Sequence, residues 1–462
     1  MKSIDKGNFT SGKILRPLIS FTLPVLFALF LQAMYGAVDL AVVGWFGTTS
    51  DVSAVSTGSQ IMQTITVVVA GLSMGTTVLL GQKLGEGKGE EAGAVIGSSV
   101  CLFAVIALVV TAVMQFAAEP FANFMNAPET ALSQTVSYIR ICSGGALFIV
   151  AYNMVGSVFR GIGDSKTPLI AVAVACVLNI AGDLLFVAVF EMGAAGAALA
   201  TVISQAVSVV ICLAVIAKKG LPFSFSRKNV RFNASVIRRV LGLGWPIALQ
   251  DALVSASFLA ILSIVNSLGE TASAGMGVSE KICAFVMLVP SAFMQSLSAF
   301  VAQNYGAGKH SRAQKAMLCG MAVSLAFGAV ISVLAFFRGD LLASLFAPDD
   351  AAVISAAADY LAAYAIDTVF VSLLFCFIGF FNGCGRTGFS MVQGIIGAFC
   401  VRIPVSFFMS RIEPVSLFRV GLATPCSTVV QIVLCTVYFL MLRKKLSKNS
   451  KRPPETEISD GI

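Results

Sequence analysis

The chain has 462 residues; 57% are apolar and 12% are charged, and the mean hydropathy is +0.90. A soluble domain carries about 25% charged residues and needs them to cover its surface. The composition therefore excludes a soluble enzyme, a nucleic-acid-binding protein and a disordered chain. The net charge is +8, from 31 basic and 23 acidic residues. Of the eleven cysteines, all but Cys384 lie inside apolar runs, there is no C-x-x-C pair, and His310 is the only histidine. That pattern argues against a metal cluster or a disulfide framework, and for cysteine as a small hydrophobe between helices.

About 30 Å of hydrocarbon requires roughly 20 helical residues. Apolar runs long enough predict twelve transmembrane helices, at 18–46, 53–80, 93–117, 131–159, 167–190, 194–217, 236–266, 272–302, 315–337, 352–381, 388–410 and 415–442. The first run is too long for a cleaved signal peptide and lacks the small-residue cleavage pattern. The segment before it carries Lys2, Lys6, Lys13 and Arg16 and is expected to be a cytoplasmic arm.

The basic residues set the expected orientation. With the N-terminus inside, 25 of the 31 lie in inside segments, and only Arg338, Arg411 and Arg419 lie outside. An odd number of spans would scramble that division. Both termini are therefore expected in the cytoplasm of a multi-pass protein of a bacterial-type cell membrane. The tail, basic and then Pro-rich and acidic, is expected to be disordered. No G-x-x-x-x-G-K-[ST] phosphate loop is present, so the chain is not expected to hydrolyse ATP, and uphill transport would draw on an ion gradient.

The two halves repeat at an offset of about 222 residues. Pro24 matches Pro246, and Ser53-Ala54 matches Ser273-Ala274. Gly81-Gln82-Lys83-Leu84-Gly85-Glu86-Gly87-Lys88 matches Ala302-Gln303-Asn304-Tyr305-Gly306-Ala307-Gly308-Lys309. Asn126-Ala127-Pro128 matches Phe346-Ala347-Pro348, and Phe159-Arg160-Gly161-Ile162-Gly163 matches Phe381-Asn382-Gly383-Cys384-Gly385. Six is even, so both halves enter from the same side, as parallel repeats about an axis along the membrane normal. The fold class is an all-α integral membrane protein with two six-helix lobes. The expected organisation is an N-terminal lobe at 1–217, an interlobe linker at 218–235, a C-terminal lobe at 236–442 and a tail at 443–462. Facing bundles can rock and open a cleft to each side in turn.

These features together resemble the multidrug and toxic compound extrusion (MATE) family over about residues 14–442. The resemblance rests on twelve spans in two parallel halves, the Gly-Gln-x-x-Gly-x-Gly-Lys element and its echo, and Phe-Arg-Gly-x-Gly-Asp at 159–164. It implies proton- or sodium-coupled export of amphipathic, often cationic, organic compounds.

Charge at membrane depth costs at least about 2.5–3.5 kcal/mol on insertion scales, so such groups are functional candidates. Gln32, Tyr35 and Asp39 share a helix face, Asn179 and Asp183 lie one turn apart, and Thr201 and Gln205 repeat that spacing. If these faces converge, two carboxylates, an amide and a hydroxyl share a dry pocket that takes a cation or a proton. Oxygen ligands suit Na⁺ and equally suit proton exchange. The resemblance, to the bacterial and archaeal branch with an N-lobe cation site, assigns that site to Asp39, Asn179, Asp183 and Thr201, with Ala197 one turn before.

Asp251, Glu280, Lys281 and Asp367 are secondary candidates in the second lobe, with Lys281 placed to neutralise Asp251 or Asp367. Another branch of the family carries a glutamate at the position of Val254, so a sodium site of that type is not expected. Arg140 and Arg402 are expected to snorkel or to bond carbonyls. The 35 Phe and 16 Met suit varied apolar cargo. Gln32, Tyr35 and Asn153 resemble the family's cavity-lining polar positions.

The expectation is a monomeric antiporter, not an enzyme, that exports small molecules in exchange for H⁺ or Na⁺. It would use no cofactor and bind no nucleic acid, and its only other contact would be membrane lipid. The alternative is a lipid-linked-precursor flippase of the same wider superfamily.

Overall fold

The computed structural model of the protein describes residues 9–347 and 350–449. Lys2, Lys6, Pro348, Asp349 and residues 450–462 of the tail lie outside the described residues. The described residues are helical with no strand. Eleven helices are long and apolar enough to cross a membrane, and one bent pair completes a twelfth span. The first lobe holds α1 (Leu15–Phe46), α2 (Thr49–Gly85), α3 (Gly89–Phe124), α4 (Glu129–Gly144 and Ala146–Ile162, bent by 50°), α5 (Lys166–Val189) and α6 (Gly193–Lys219). The second holds α7 (Ala234–Asn266), α8 (Glu270–Gly306), α9 (His310–Phe337), α10 (Ala351–Gly383), α11 (Thr387–Met409) and α12 (Leu417–Lys444). The last helix continues to Asn449, so the tail expected to be disordered from 443 begins as helix.

Local chemistry fixes the ends. Thr48 and Asp51 form a capping box at the start of α2, with the Thr48 N–H on Asp51 Oδ2 at 3.0 Å. Asp51 Oδ1 also accepts the Ala194 N–H at 3.0 Å, tying α2 to the start of α6. Asn233 and Asp350 cap α7 and α10. In the turn after α2, burial raises the Glu86 carboxyl, but Lys83 and Lys88 outweigh it and hold it below the usual carboxylate range.

The two lobes meet most tightly at the end that carries the N-terminal segment and the end of α12. There α2 passes close to α7 and α8 of the other lobe. A side chain on Gly75 would strike the Val240 carbonyl, and one on Gly306 the Gln82 carbonyl, so both approaches require glycine. From Val69 onward α2 is almost wholly buried, and α8 after Leu288 is mostly buried, whereas their opposite halves mix buried, half-buried and exposed residues.

Three helices overrun their hydropathy limits at this end. The predicted span 53–80 extends to Gly85, 272–302 to Gly306, and 131–159 to Ile162. Gln82, Gln303 and Arg160 interrupt the apolar pattern, yet they lie within helices because they bond across or within the bundle.

Candidate functional site: a buried acid pair beside an interlobe cavity

Asp39 on α1, Asn179 and Asp183 on α5 and Thr201 on α6 come together in the first lobe. Asp39, Asn179 and Asp183 are 5%, 0% and 0% exposed. The Thr201 hydroxyl donates to Asp39 Oδ2 at 3.1 Å. The same carboxylate faces Asp183 and Asn179, but outside hydrogen-bond geometry. Asp39 Oδ1, both Asp183 oxygens and both Asn179 amide atoms thus have no bonded partner.

Two bare carboxylates cannot share so dry a site cheaply. This arrangement can hold a proton, or a small hard cation through oxygen atoms. Among the described residues no three His, Cys, Asp or Glu side chains converge as metal ligands. Any cation here would therefore use the Asn179 and Thr201 oxygens beside the two carboxylates. Ala197, one turn before Thr201, is fully buried in the apolar cluster that includes Val43 and Ala194.

Directly after Asp183, α5 widens to a π-helical turn over Leu184–Val189, with the Phe190 N–H on the Leu185 carbonyl at 3.0 Å. The equivalent helix of the second lobe, α11, does the same over Ile396–Arg402. Such turns recur at functional sites because they let the helix re-aim its side chains.

A polar strip leads from the acid pair toward the lobe boundary. Gln205 donates to the Tyr35 hydroxyl at 3.1 Å, and Gln32 to the Tyr152 hydroxyl at 2.9 Å; the two tyrosines share one cluster. The strip ends at a cavity of about 90 Å³ lined by Gln32, Tyr152, Asn153, Arg160 and Gln295, the last from the second lobe. Of the three expected cargo residues, Gln32 and Asn153 line this cavity. Tyr35 lies one step deeper, toward Asp39. The Asn153 amide also donates to the Ile149 carbonyl at 2.9 Å.

Arg160 was expected in a loop. It occupies the last turn of α4, before Gly163 ends the helix in the left-handed conformation at φ 89°. Its guanidinium bonds Ser157 Oγ at 2.9 Å; Nε is buried without a partner, and no ion pair forms to it among the described residues. The glycine three residues after Arg160 was the signal for a helical arginine.

The second-lobe candidates do not converge in the same way. Asp367 is 1% exposed and both its oxygens lack bonded partners. Lys281 is exposed and forms no ion pair among the described residues, so it does not neutralise Asp251 or Asp367 as expected. The cation facing Asp367 is Arg402, which is also buried. Arg402 neither snorkels nor bonds a carbonyl. It donates to Ser257 Oγ at 3.0 Å and lies 4.5 Å over the Phe258 ring. Asp251 and Glu280 are half-buried, and Arg140 is exposed.

The sequence matches the MatE family over residues 24–185 and 246–408, once in each lobe. The chain belongs to the MatE family. It is 29% identical over 411 residues to the probable multidrug resistance protein YpnP of Bacillus subtilis, covering 89% of this chain and 91% of that one. It is 24% identical over 431 residues to the multidrug export protein MepA of Staphylococcus saprophyticus, covering 89% and 90%. A solved outward-facing multidrug resistance MATE family transporter of the MOP superfamily superposes with a TM-score of 0.89 at 19% identity, covering 98% of this chain and all of that chain. This MatE chain thus shares that fold over 98% of its length.

Proposed function

We propose that this MatE protein is a secondary antiporter of a bacterial-type cell membrane that exports amphipathic organic compounds, cationic ones among them, in exchange for H⁺ or Na⁺. Both termini are cytoplasmic, and the lobes at 1–217 and 236–442 are joined by the linker 218–235. The observation that carries this reading is the Asp39–Thr201 bond, at 3.1 Å, in a pocket shared with the unbonded carboxylate of Asp183. The named roles of the multidrug relatives point the same way.

The polar strip supports the coupling. The acid pair and the cargo cavity are separate but connected through Tyr35 and Gln32. Ion entry repacks α1 at Asp39 and weakens cargo binding at Gln32 and Asn153. Coupling requires that ion and cargo favour different states. A cavity of about 90 Å³ is also far below the roughly 300–1,000 Å³ of a drug-sized site, so cargo binds only when the lobes move apart.

A second reading of the cargo is favoured by Arg160. An unpaired guanidinium in the cavity suits an anionic amphiphile, which includes a lipid-linked precursor. Efflux from proteoliposomes under separately imposed proton and sodium gradients tests the antiport. One gradient should accelerate export of a cationic dye, and Asp39→Asn should abolish that acceleration. The second reading predicts instead that an anionic amphiphile is moved, that the cationic dye is not, and that Arg160→Gln stops the movement.

A further inference from the structure

Where the starts of α1 and α9 meet the end of α12, a cavity of about 1020 Å³ opens at the basic end of the molecule. Its lining includes Lys13, Lys309, His310, Arg312, Lys315 and Arg443 and, among the described residues, no acidic side chain. The internal repeat makes this unusual. In the first lobe the matching turn neutralises itself: Lys83 pairs with Glu86 at 2.9 Å and Glu91 at 2.7 Å, and Lys88 with Glu86 at 3.1 Å. In the second lobe Ala307 stands at the position of Glu86, and Arg312 at that of Glu91. Both counter-charges are gone, and one is replaced by a cation.

Two of these cations are fixed in place with no ion pair among the described residues. Lys309 donates to the Thr10 carbonyl at 2.8 Å. Arg312 donates to the carbonyls of Phe9, Ser11, Gly12 and Lys13 at 2.7–3.3 Å. Carbonyl dipoles orient an arginine but leave its net charge. Lys13, Lys315 and Arg443 are exposed, and none forms an ion pair among the described residues. Beside the cavity, Leu15 on α1 and Leu318 on α9 are 49% and 56% exposed. A concave cluster of cations above exposed apolar helix surface matches an anionic head with hydrocarbon tails, and basic clusters at helix ends bind such headgroups.

We infer that this cavity is a binding site for the phosphate headgroup of an anionic phospholipid, whose acyl chains lie along the α1 and α9 surfaces at Leu15 and Leu318. The lipid would tie the N-terminal segment to the second lobe. The site is independent of the acid pair and of the cargo.

The test is the thermal stability of the full detergent-solubilised chain. Added phosphatidylglycerol should raise the Tm by several degrees, while phosphatidylcholine and inorganic phosphate should not. Lys13→Gln/Lys315→Gln/Arg443→Gln should keep the lipid-free Tm and lose most of the rise. Native mass spectrometry of the wild type should show phosphatidylglycerol retained in preference to phosphatidylcholine, a readout that does not depend on the variant folding. Equal rises with both lipids, an undiminished rise in the folded variant, or no preferential retention would overturn the assignment. A rise with inorganic phosphate as large as with lipid would mean a free-anion site and overturn it too. So would a lipid response that appears only after Glu455, Glu457 and Asp460 are neutralised, which would give the cavity to the chain's own tail.

Discussion

Gln82 of the first lobe and Gln303 of the second make the same hydrogen bond in opposite directions. Gln82 Nε2 donates to the Gly383 carbonyl at the end of α10, at 3.0 Å. Gln303 Nε2 donates to the Gly161 carbonyl at the end of α4, at 2.8 Å. The two repeated sequence elements of each half thus lock crosswise onto those of the other, and the lock lies at the closed end of the lobe boundary.

Gln82→Ala and Gln303→Ala should each weaken closure at this end. One hydrogen bond is worth about 1 kcal/mol, or about fivefold in a two-state population. Spin labels at the exposed positions Glu90 and Ser311 should report a larger fraction of long distances in each variant and a larger one still in the double variant. Unchanged distributions would mean that the bonds do not hold the lobes.

Gly306→Val should be more severe. The added atoms meet the Gln82 carbonyl, which is backbone and cannot step aside. Overpacking of this kind costs about 1–3 kcal/mol, and here the cost falls on the state closed at the basic end. Export should drop by about tenfold or more with the protein still folded in the membrane; normal export would show that this approach is not required.

Thr201→Val removes the one hydrogen bond that the Asp39 carboxylate accepts among the described residues, while keeping the side-chain shape. Leaving Asp39 Oδ2 unpartnered costs about 1–3 kcal/mol. The apparent affinity for the coupling ion should change by about tenfold, read from the ion dependence of efflux, while cargo affinity in the absence of a gradient should stay the same.

Arg402→Met should lower stability by about 1–3 kcal/mol, because it removes the bond to Ser257 and the cation that faces the buried Asp367. Asp367→Asn in the same chain should recover most of the lost Tm. Failure of the second change to rescue would show that Arg402 acts through Ser257 and Phe258 alone.

Much of this was legible in the sequence. Length and hydropathy located the spans, and the Pro24–Pro246 and Gln82–Gln303 matches exposed the two lobes. Helical spacing put Gln32, Tyr35 and Asp39 on one face, and Asn179 with Asp183 on another. Periodicity does not say which faces of different helices meet, and the family resemblance supplied the convergence at Asp39. Hydropathy also hid the polar ends of α2, α4 and α8, since Gln82, Arg160 and Gln303 read as loop. Lys281 was offered by the sequence as a counter-charge for Asp251 or Asp367, but partnership across a bundle depends on helix rotation. That rotation turns Lys281 outward and brings Arg402 in from α11.

The most direct test of the central claim is ion movement driven by cargo. With cargo loaded inside sealed proteoliposomes and no imposed ion gradient, outward cargo flow through the wild type should draw H⁺ or Na⁺ inward in a fixed ratio. Asp39→Asn and Asp183→Asn should let cargo equilibrate without that ion flux. Ion uptake that persists at the wild-type ratio in both variants would contradict the account.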